Sequence, residues 1–298
     1  MNEIDRILFE IRSKRVRPHL DDKIITAWNG LAISALAKAG QILEKDSYVA
    51  AARRAAEFLK TNLYQSESRE LLRLYRGTPS HVQAFTEDYA FLIQGLIDLY
   101  EATGEPNWLD WANTLQETQN SLFYDNENSG FFEFGESEDI VFDRPKNGFD
   151  GAMPSSNSVS TKNLARLGQF FDNQSYSDMA RNTADSFVPA MKKSPIAMPA
   201  LLDASLYILR KPIQIVIASE GDHRDIESVA SSILLPNRLL LHADSGPSQE
   251  YLGKRLSFIK SDKPVEGVTT AYVCEGFVCQ LPARSTEALR SQLEDLVN

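Results

Sequence analysis

Little in this sequence points to metal, redox or nucleophilic chemistry. Two cysteines in 298 residues do not make a disulfide framework. Cys274 and Cys279 also lack the second Cys/His pair that would complete four zinc ligands, so buried free thiols are expected rather than a redox pair or a metal site. Only His19 and His81 fall in the first 210 residues, which leaves few groups that titrate near neutral pH. A Gly-rich phosphate loop, a Gly-x-Ser-x-Gly elbow and a His-Glu-x-x-His pair are all missing, and no cofactor and no metal is expected. No apolar run reaches ~18 residues, and Met1 leads into Asn2 and Glu3 without an apolar signal core. A membrane protein and classical secretion are disfavoured, and a cytoplasmic location is expected. Basic side chains number 31 against 41 acidic ones, a net charge of −10, which argues against nucleic acid as the main partner.

What the chain does contain is helix. Ile4, Ile7, Leu8 and Ile11 mark a helix over 3–14, and the basic residues Arg12, Lys14, Arg15 and Arg17 read as its solvated end rather than a binding patch. Three helix pairs follow. The first members, 28–43, 88–103 and 157–172, are apolar nearly all round and are expected to be buried on most sides. The second members, 46–63, 106–123 and 175–190, are amphipathic; Trp108, Trp111, Leu115 and Leu122 keep the 3.6-residue period. A first member starts roughly every sixty residues, which reads as stacked helical hairpins. If the stack closes, buried helices form an inner ring and amphipathic ones an outer ring. The expected fold is mainly α: a partial (α/α)6 toroid over 1–210, with an open solenoid as the alternative, followed by a small α/β C-terminal domain over 211–298. Ile213–Ile217, a polar helix near 222–234 and Arg238–His242 give the latter a strand–helix–strand pattern, and 270–281 reads as a hairpin around Glu275 and Gly276. A helix over 285–297 closes the chain.

Polar residues collect just before the inner helices. His19, Asp21 and Asp22 precede the first, which opens with Trp28 and Asn29. Glu87, Asp88 and Tyr89 open the second, and Phe149, Asp150, Ser155, Asn157 and Ser158 open the third. Each cluster could serve only as helix caps, because Asp, Asn, Ser and Thr oxygens accept the free amides of a first turn. In a ring of parallel inner helices, however, the three clusters would share one mouth. Carboxylates and amides bind sugar hydroxyls, and aromatic faces stack on pyranose rings. The candidate acid/base residues are therefore Asp21, Asp22, Glu87, Asp88, Asp150 and His19. The candidate binding residues are Trp28, Asn29, Tyr89, Ser155 and Asn157, with a carbohydrate as the expected ligand.

The same residues carry a family resemblance. The segment from Arg17 to Leu31, then Ser34 to Gly40, resembles the hallmark of the spermatogenesis-associated protein 20 family of thioredoxin-domain-containing proteins. Glu87–Ala90, Asp150–Ala152, Pro154 and Ser155, Asn157–Val159, Thr270–Cys274, and Cys279 with Gln280 match that family in order. The resemblance implies a toroid similar to six-hairpin glycosidases and N-acylglucosamine 2-epimerases, with a thioredoxin-like domain upstream that this chain lacks. The chain is then expected to be the C-terminal part of a longer protein. Met153 stands where the family usually has Glu, and Ser156 where it has Gly. A glycosidase-like or sugar-epimerising activity and a non-catalytic scaffold both remain open at this point.

Overall fold

The computed structural model describes residues 3–136, 143–221, 223–243, 246–276 and 278–297. Helix α1 (Glu3–Ser13) buries none of its side chains. Three helical pairs then follow: α2 (Thr26–Ile42) with α3 (Asp46–Asn62), α4 (Thr86–Thr103) with α5 (Pro106–Phe123), and α6 (Ser156–Phe171) with α7 (Gln174–Ser186). Local chemistry turns each pair. Gly104, left-handed at φ 68°, returns its amide to the Tyr100 carbonyl, and Pro106 starts α5 where a missing N–H costs nothing. The third pair is shorter than the amphipathic pattern over 175–190. Phe187 ends α7, and Pro189 sits in the first turn of a separate helix, α8 (Val188–Lys193). A 3-10 turn at Pro195–Ala197 leads to α9 (Pro199–Leu209), which packs on α6.

Helices α2, α4, α6 and α9 lie side by side as the inner row, and α3, α5 and α7 back them from outside. The closest approach is at glycines. A Cβ on Gly30 would stand 2.5 Å from the backbone of Phe91 and Leu92, and one on Gly95 would stand 2.6 Å from the Gly30 carbonyl. The first 210 residues are not helix and loop alone. Strands β1 (Ile24–Ile25), β4 (Leu74–Arg76) and β5 (Thr78–Pro79) form one antiparallel sheet, and β2 (Tyr64–Gln65) pairs with β3 (Glu70–Leu71). Each has two or three residues, too short for a period-2 pattern to register.

The inner helices are also less apolar than their composition suggests. Asp98 of α4 is fully buried and meets Arg166 of α6 at 2.7 Å and Lys38 of α2 at 3.1 Å. Arg166 also reaches Glu101 at 3.2 Å. This network crosses three inner helices and satisfies its charges internally.

The C-terminal part runs β6 (Ile213–Ala218), α10 (Arg224–Ser232), β7 (Arg238–Ala243), α11 (Pro247–Gly253), β8 (Thr270–Glu275), β9 (Val278–Cys279) and α12 (Thr286–Asp295). The sheet order is β7-β6-β8-β9. Strands β6 and β7 are parallel, with Ile213 opposite Arg238, and the other pairs are antiparallel. On one sheet face Val216, Ala218, Leu239 and Leu241 join the helical core; on the other Ile215, Ile217, Leu240 and Val273 pack with α10 and α12. The β7 edge is covered by α4, since the Leu240 amide donates to Glu101 Oε1 and the His242 amide to the Tyr100 hydroxyl. The expected free thiols are instead a disulfide: β8 and β9 put Cys274 directly opposite Cys279, 3.9 Å apart at Cα.

Candidate functional site

The inner helices open together at their N-termini, and one carboxylate ties the first two openings. Asp88 accepts the Ala27 amide of α2 at 2.9 Å and the Phe85 amide at 2.8 Å, while Arg73 donates to it at 2.9 Å. Ile25 offers α2 no capping side chain, so Asp88 supplies that cap from another hairpin. Burial pushes the Asp88 carboxyl up to about 6, against the pull of the two amides and Arg73. Arg73 bridges to Glu87 at 2.8 Å and stacks its guanidinium 4.3 Å above the Phe85 ring.

The third opening is joined to the second through the segment 131–135. Thr86 donates its amide to the Glu133 carbonyl at 3.1 Å and its hydroxyl to the Phe132 carbonyl. The Glu133 side chain accepts the Ser156 hydroxyl at 2.9 Å. Burial raises the Glu133 carboxyl above its ordinary range despite hydrogen bonds from Ser156 and the Asn147 backbone, and the neighbouring charge of Glu87 adds to the rise. Two half-buried carboxyl groups in unlike surroundings thus flank this opening, Glu87 beside a guanidinium and Glu133 in a desolvated niche.

The residues anticipated from sequence divide sharply. Asp150 caps twice, accepting the Ser155 amide at 2.7 Å and the Ala200 amide of α9 at 2.8 Å. Ser155 is the N-cap of α6. Asn157 is fully buried and clamps the Phe131 backbone and the Asn147 carbonyl. Tyr89, expected as a stacking face, is 1% exposed, packs on Phe123, and its hydroxyl accepts the Leu71 amide. Asn29 donates to the Ile25 carbonyl within its own first turn. His19, Asp21 and Asp22 form an exposed group apart, with Asp22 and His19 held by Arg76 and Asp21 by Lys23 at 3.2 Å. The Lys23 ammonium keeps the Asp21 carboxyl below its usual range.

Exposed aromatic faces remain at the mouth. Trp28 is 58% and Phe149 59% exposed, with Phe85 and Met153 also partly open. Sequence reading missed Arg73, Phe85 and Glu133. A signal existed for the last, since Glu133 is the sole charge within Phe131-Phe132-Glu133-Phe134. Beside Phe85 lies a cleft of about 710 Å³ walled by Tyr89, Tyr124, Phe134, Gln83 and Arg144.

Hairpins stacked into an inner and an outer row, with polar loops at the inner N-termini, define a partial (α/α) toroid. Two solved structures carry this fold. A GH76 α-mannanase from Bacteroides thetaiotaomicron superposes with a TM-score of 0.51 at 16% identity, over 63% of this chain and 54% of its own. Cellobiose 2-epimerase from Bacillus thermoamylovorans superposes with 0.51 at 14% identity, over 89% and 68%. No protein-family profile matches the chain. By sequence, the chain is similar along 96% of its length to spermatogenesis-associated protein 20. The Homo sapiens protein of that name is 36% identical over 301 residues and the Mus musculus protein 38% over 303, in each case 96% of this chain and 38% of the relative. An uncharacterized Caenorhabditis elegans protein is 29% identical over the whole chain and 41% of its own length. The chain thus spans about two-fifths of the curated relatives it matches. Among the described residues no helix is long and apolar enough to cross a membrane.

Proposed function

We propose that residues 1–210 form the sugar-binding part of a carbohydrate-active toroid, with residues 211–298 as a separate α/β unit bracing it. One observation carries this reading: Glu87 and Glu133 flank one mouth in environments that set them apart. Burial favours a proton on Glu133, which suits a general acid, while Glu87, ion-paired to Arg73 at 2.8 Å, is the second carboxyl at the mouth and would serve as base or nucleophile. Such a pair serves glycoside hydrolysis more directly than epimerisation, which relies on groups near neutral pKa, usually histidines. Trp28 and Phe149 would supply stacking faces, and Glu133 would take the place of the carboxylate missing at Met153. Mannan- and cellobiose-type sugars, named for the two fold relatives, are the first ligands to try.

Titration calorimetry with α-mannooligosaccharides and cellobiose tests this. Trp28→Ala is expected to weaken binding roughly 2- to 13-fold, the ~0.5–1.5 kcal/mol of one aromatic contact. Glu133→Gln should abolish turnover and retain binding. Absence of binding by any sugar in a broad panel overturns the proposal. A second reading, a non-catalytic scaffold for a thioredoxin-like domain elsewhere in the longer protein, is favoured by the structural duties of Asp88, Asp150, Ser155 and Asn157. That reading stands if no sugar binds and the chain still associates with such a domain.

A further inference from the structure

The Cys274–Cys279 bridge lies at the sheet edge opposite the one that packs on α4. In the order β7-β6-β8-β9, β7 packs on α4, whereas β9 is the outer strand. The two cysteines differ in access: Cys274 is 3% exposed, and Cys279 is open to solvent. Exposed apolar side chains flank the open one, Val278 at 75% and Leu281 at 85%. A short outer strand with exposed apolar side chains on and beside it is a surface on which an extended segment of another protein can add. The hairpin does not depend on the bridge. The Gln280 amide donates to the Val273 carbonyl at 2.9 Å, Ala271 and Ala283 exchange hydrogen bonds at 2.8 and 2.9 Å, and Gln292 of α12 holds the Leu281 carbonyl at 2.7 Å. The bridged residues are only five apart in sequence, so the bridge removes little loop entropy from the unfolded chain.

We propose that Cys274 and Cys279 form a reversible dithiol–disulfide exchange site, attacked at Cys279 by a dithiol protein that docks along β9. A thiolate of the incoming dithiol attacks Cys279 Sγ, forming a mixed disulfide and breaking the Sγ–Sγ bond, so that Cys274 leaves as a thiolate and takes a proton. The second thiol of the partner then attacks its own sulfur in the mixed disulfide and releases Cys279. Two electrons and two protons pass from the partner to the pair: the partner ends as a disulfide and this chain as a dithiol.

The test is reduction of the folded chain at neutral pH without denaturant, using dithiothreitol and separately a thioredoxin-type dithiol protein, followed by thiol alkylation and mass measurement. The expected result is complete conversion to two alkylated cysteines, faster with the protein dithiol, with the circular dichroism spectrum and thermal midpoint retained. Val278→Lys/Leu281→Lys should slow the protein reductant and leave dithiothreitol unaffected. In Cys274→Ser the remaining Cys279 should react with a disulfide reagent about 100-fold faster than Cys274 does in Cys279→Ser, since access governs thiol reactivity. The proposal is overturned if the bridge yields only when the chain unfolds, which marks a structural disulfide, or if the purified chain carries two free thiols under oxidising conditions.

Discussion

Replacing Asp98 by asparagine removes one charge from the network joining α2, α4 and α6 while keeping its volume and its hydrogen bond with Ser34. Arg166, nearly as buried, keeps its contact with Glu101 at 3.2 Å but loses Asp98, and Lys38 loses its ion pair with Asp98. Breaking a buried ion pair from one side costs about 3–5 kcal/mol, and the surviving Glu101 contact places this case near ~3 kcal/mol. At this chain size that is a fall of about 6–12 °C in thermal midpoint. Arg166→Met should cost more, because it removes an ion-pair partner from two buried carboxylates at once, leaving Asp98 to Lys38 and Ser34 and Glu101 without its guanidinium. Urea unfolding followed by circular dichroism measures both.

The pH dependence provides an internal control. Burial alone would push the Asp98 carboxyl up, but Lys38 and Arg166 with the Ser34 hydroxyl outweigh it and hold it below the ordinary value. A carboxyl depressed in the folded state contributes its full stability above its unfolded pKa, about 3.9, and loses it as pH falls through the lower folded value. The gap between wild type and Asp98→Asn should therefore stay constant from pH 5 to 8 and shrink below about pH 4. A variant within ~1 kcal/mol of wild type at neutral pH, or an equal gap at pH 3 and 7, would refute the argument.

Gly30→Ala should destabilise by ~1–3 kcal/mol, since its methyl group meets the α4 backbone, which cannot move aside; an unchanged urea midpoint would count against that close approach. The Asp88 carboxyl should titrate near 6 in a carbon-13 NMR experiment. Because that value lies above the unfolded one, the Asp88 contribution is complete at low pH and declines as pH rises from about 4 through about 6, and a midpoint below 3.8 would contradict the assigned burial. The exposed Ile4, Ile7, Leu8 and Ile11 of α1 should make the isolated chain self-associate in light scattering, and Ile7→Lys/Ile11→Lys should reduce it. A non-aggregating monomer with cooperative unfolding would show that these faces need no cover.

The helical pairs were legible because an apolar stripe recurring every 3.6 residues survives any tertiary arrangement. Their starts were less so. Helix α2 begins at Thr26, ahead of the expected Trp28, because its first turn is completed by Asp88, 61 residues away, rather than by a local cap. Asp88, Asp150, Ser155 and Asn157 were recognised as special, but sequence could not separate capping from ligand contact, since both use the same oxygens. Glu133 was overlooked because its partners, Thr86 and Ser156, lie 47 and 23 positions away in the chain. The cysteine pairing turned on register. Opposing Glu275 to Val278 sets Cys274 against Cys279, and a slip of one residue would have turned them to opposite faces.

The borrowed caps have a kinetic meaning. In a linear array each repeat owns its helix ends, so a terminal hairpin can fray while the rest persists. Here the Ala27 amide of α2 is protected only while α4 is folded, and the Ala200 amide of α9 only while the loop before α6 holds Asp150 in place. Opening one hairpin deprotects the start of its neighbour. Amide exchange at Ala27 should then track the opening of α4 rather than that of its own helix, and the inner row should exchange as one cooperative unit instead of hairpin by hairpin.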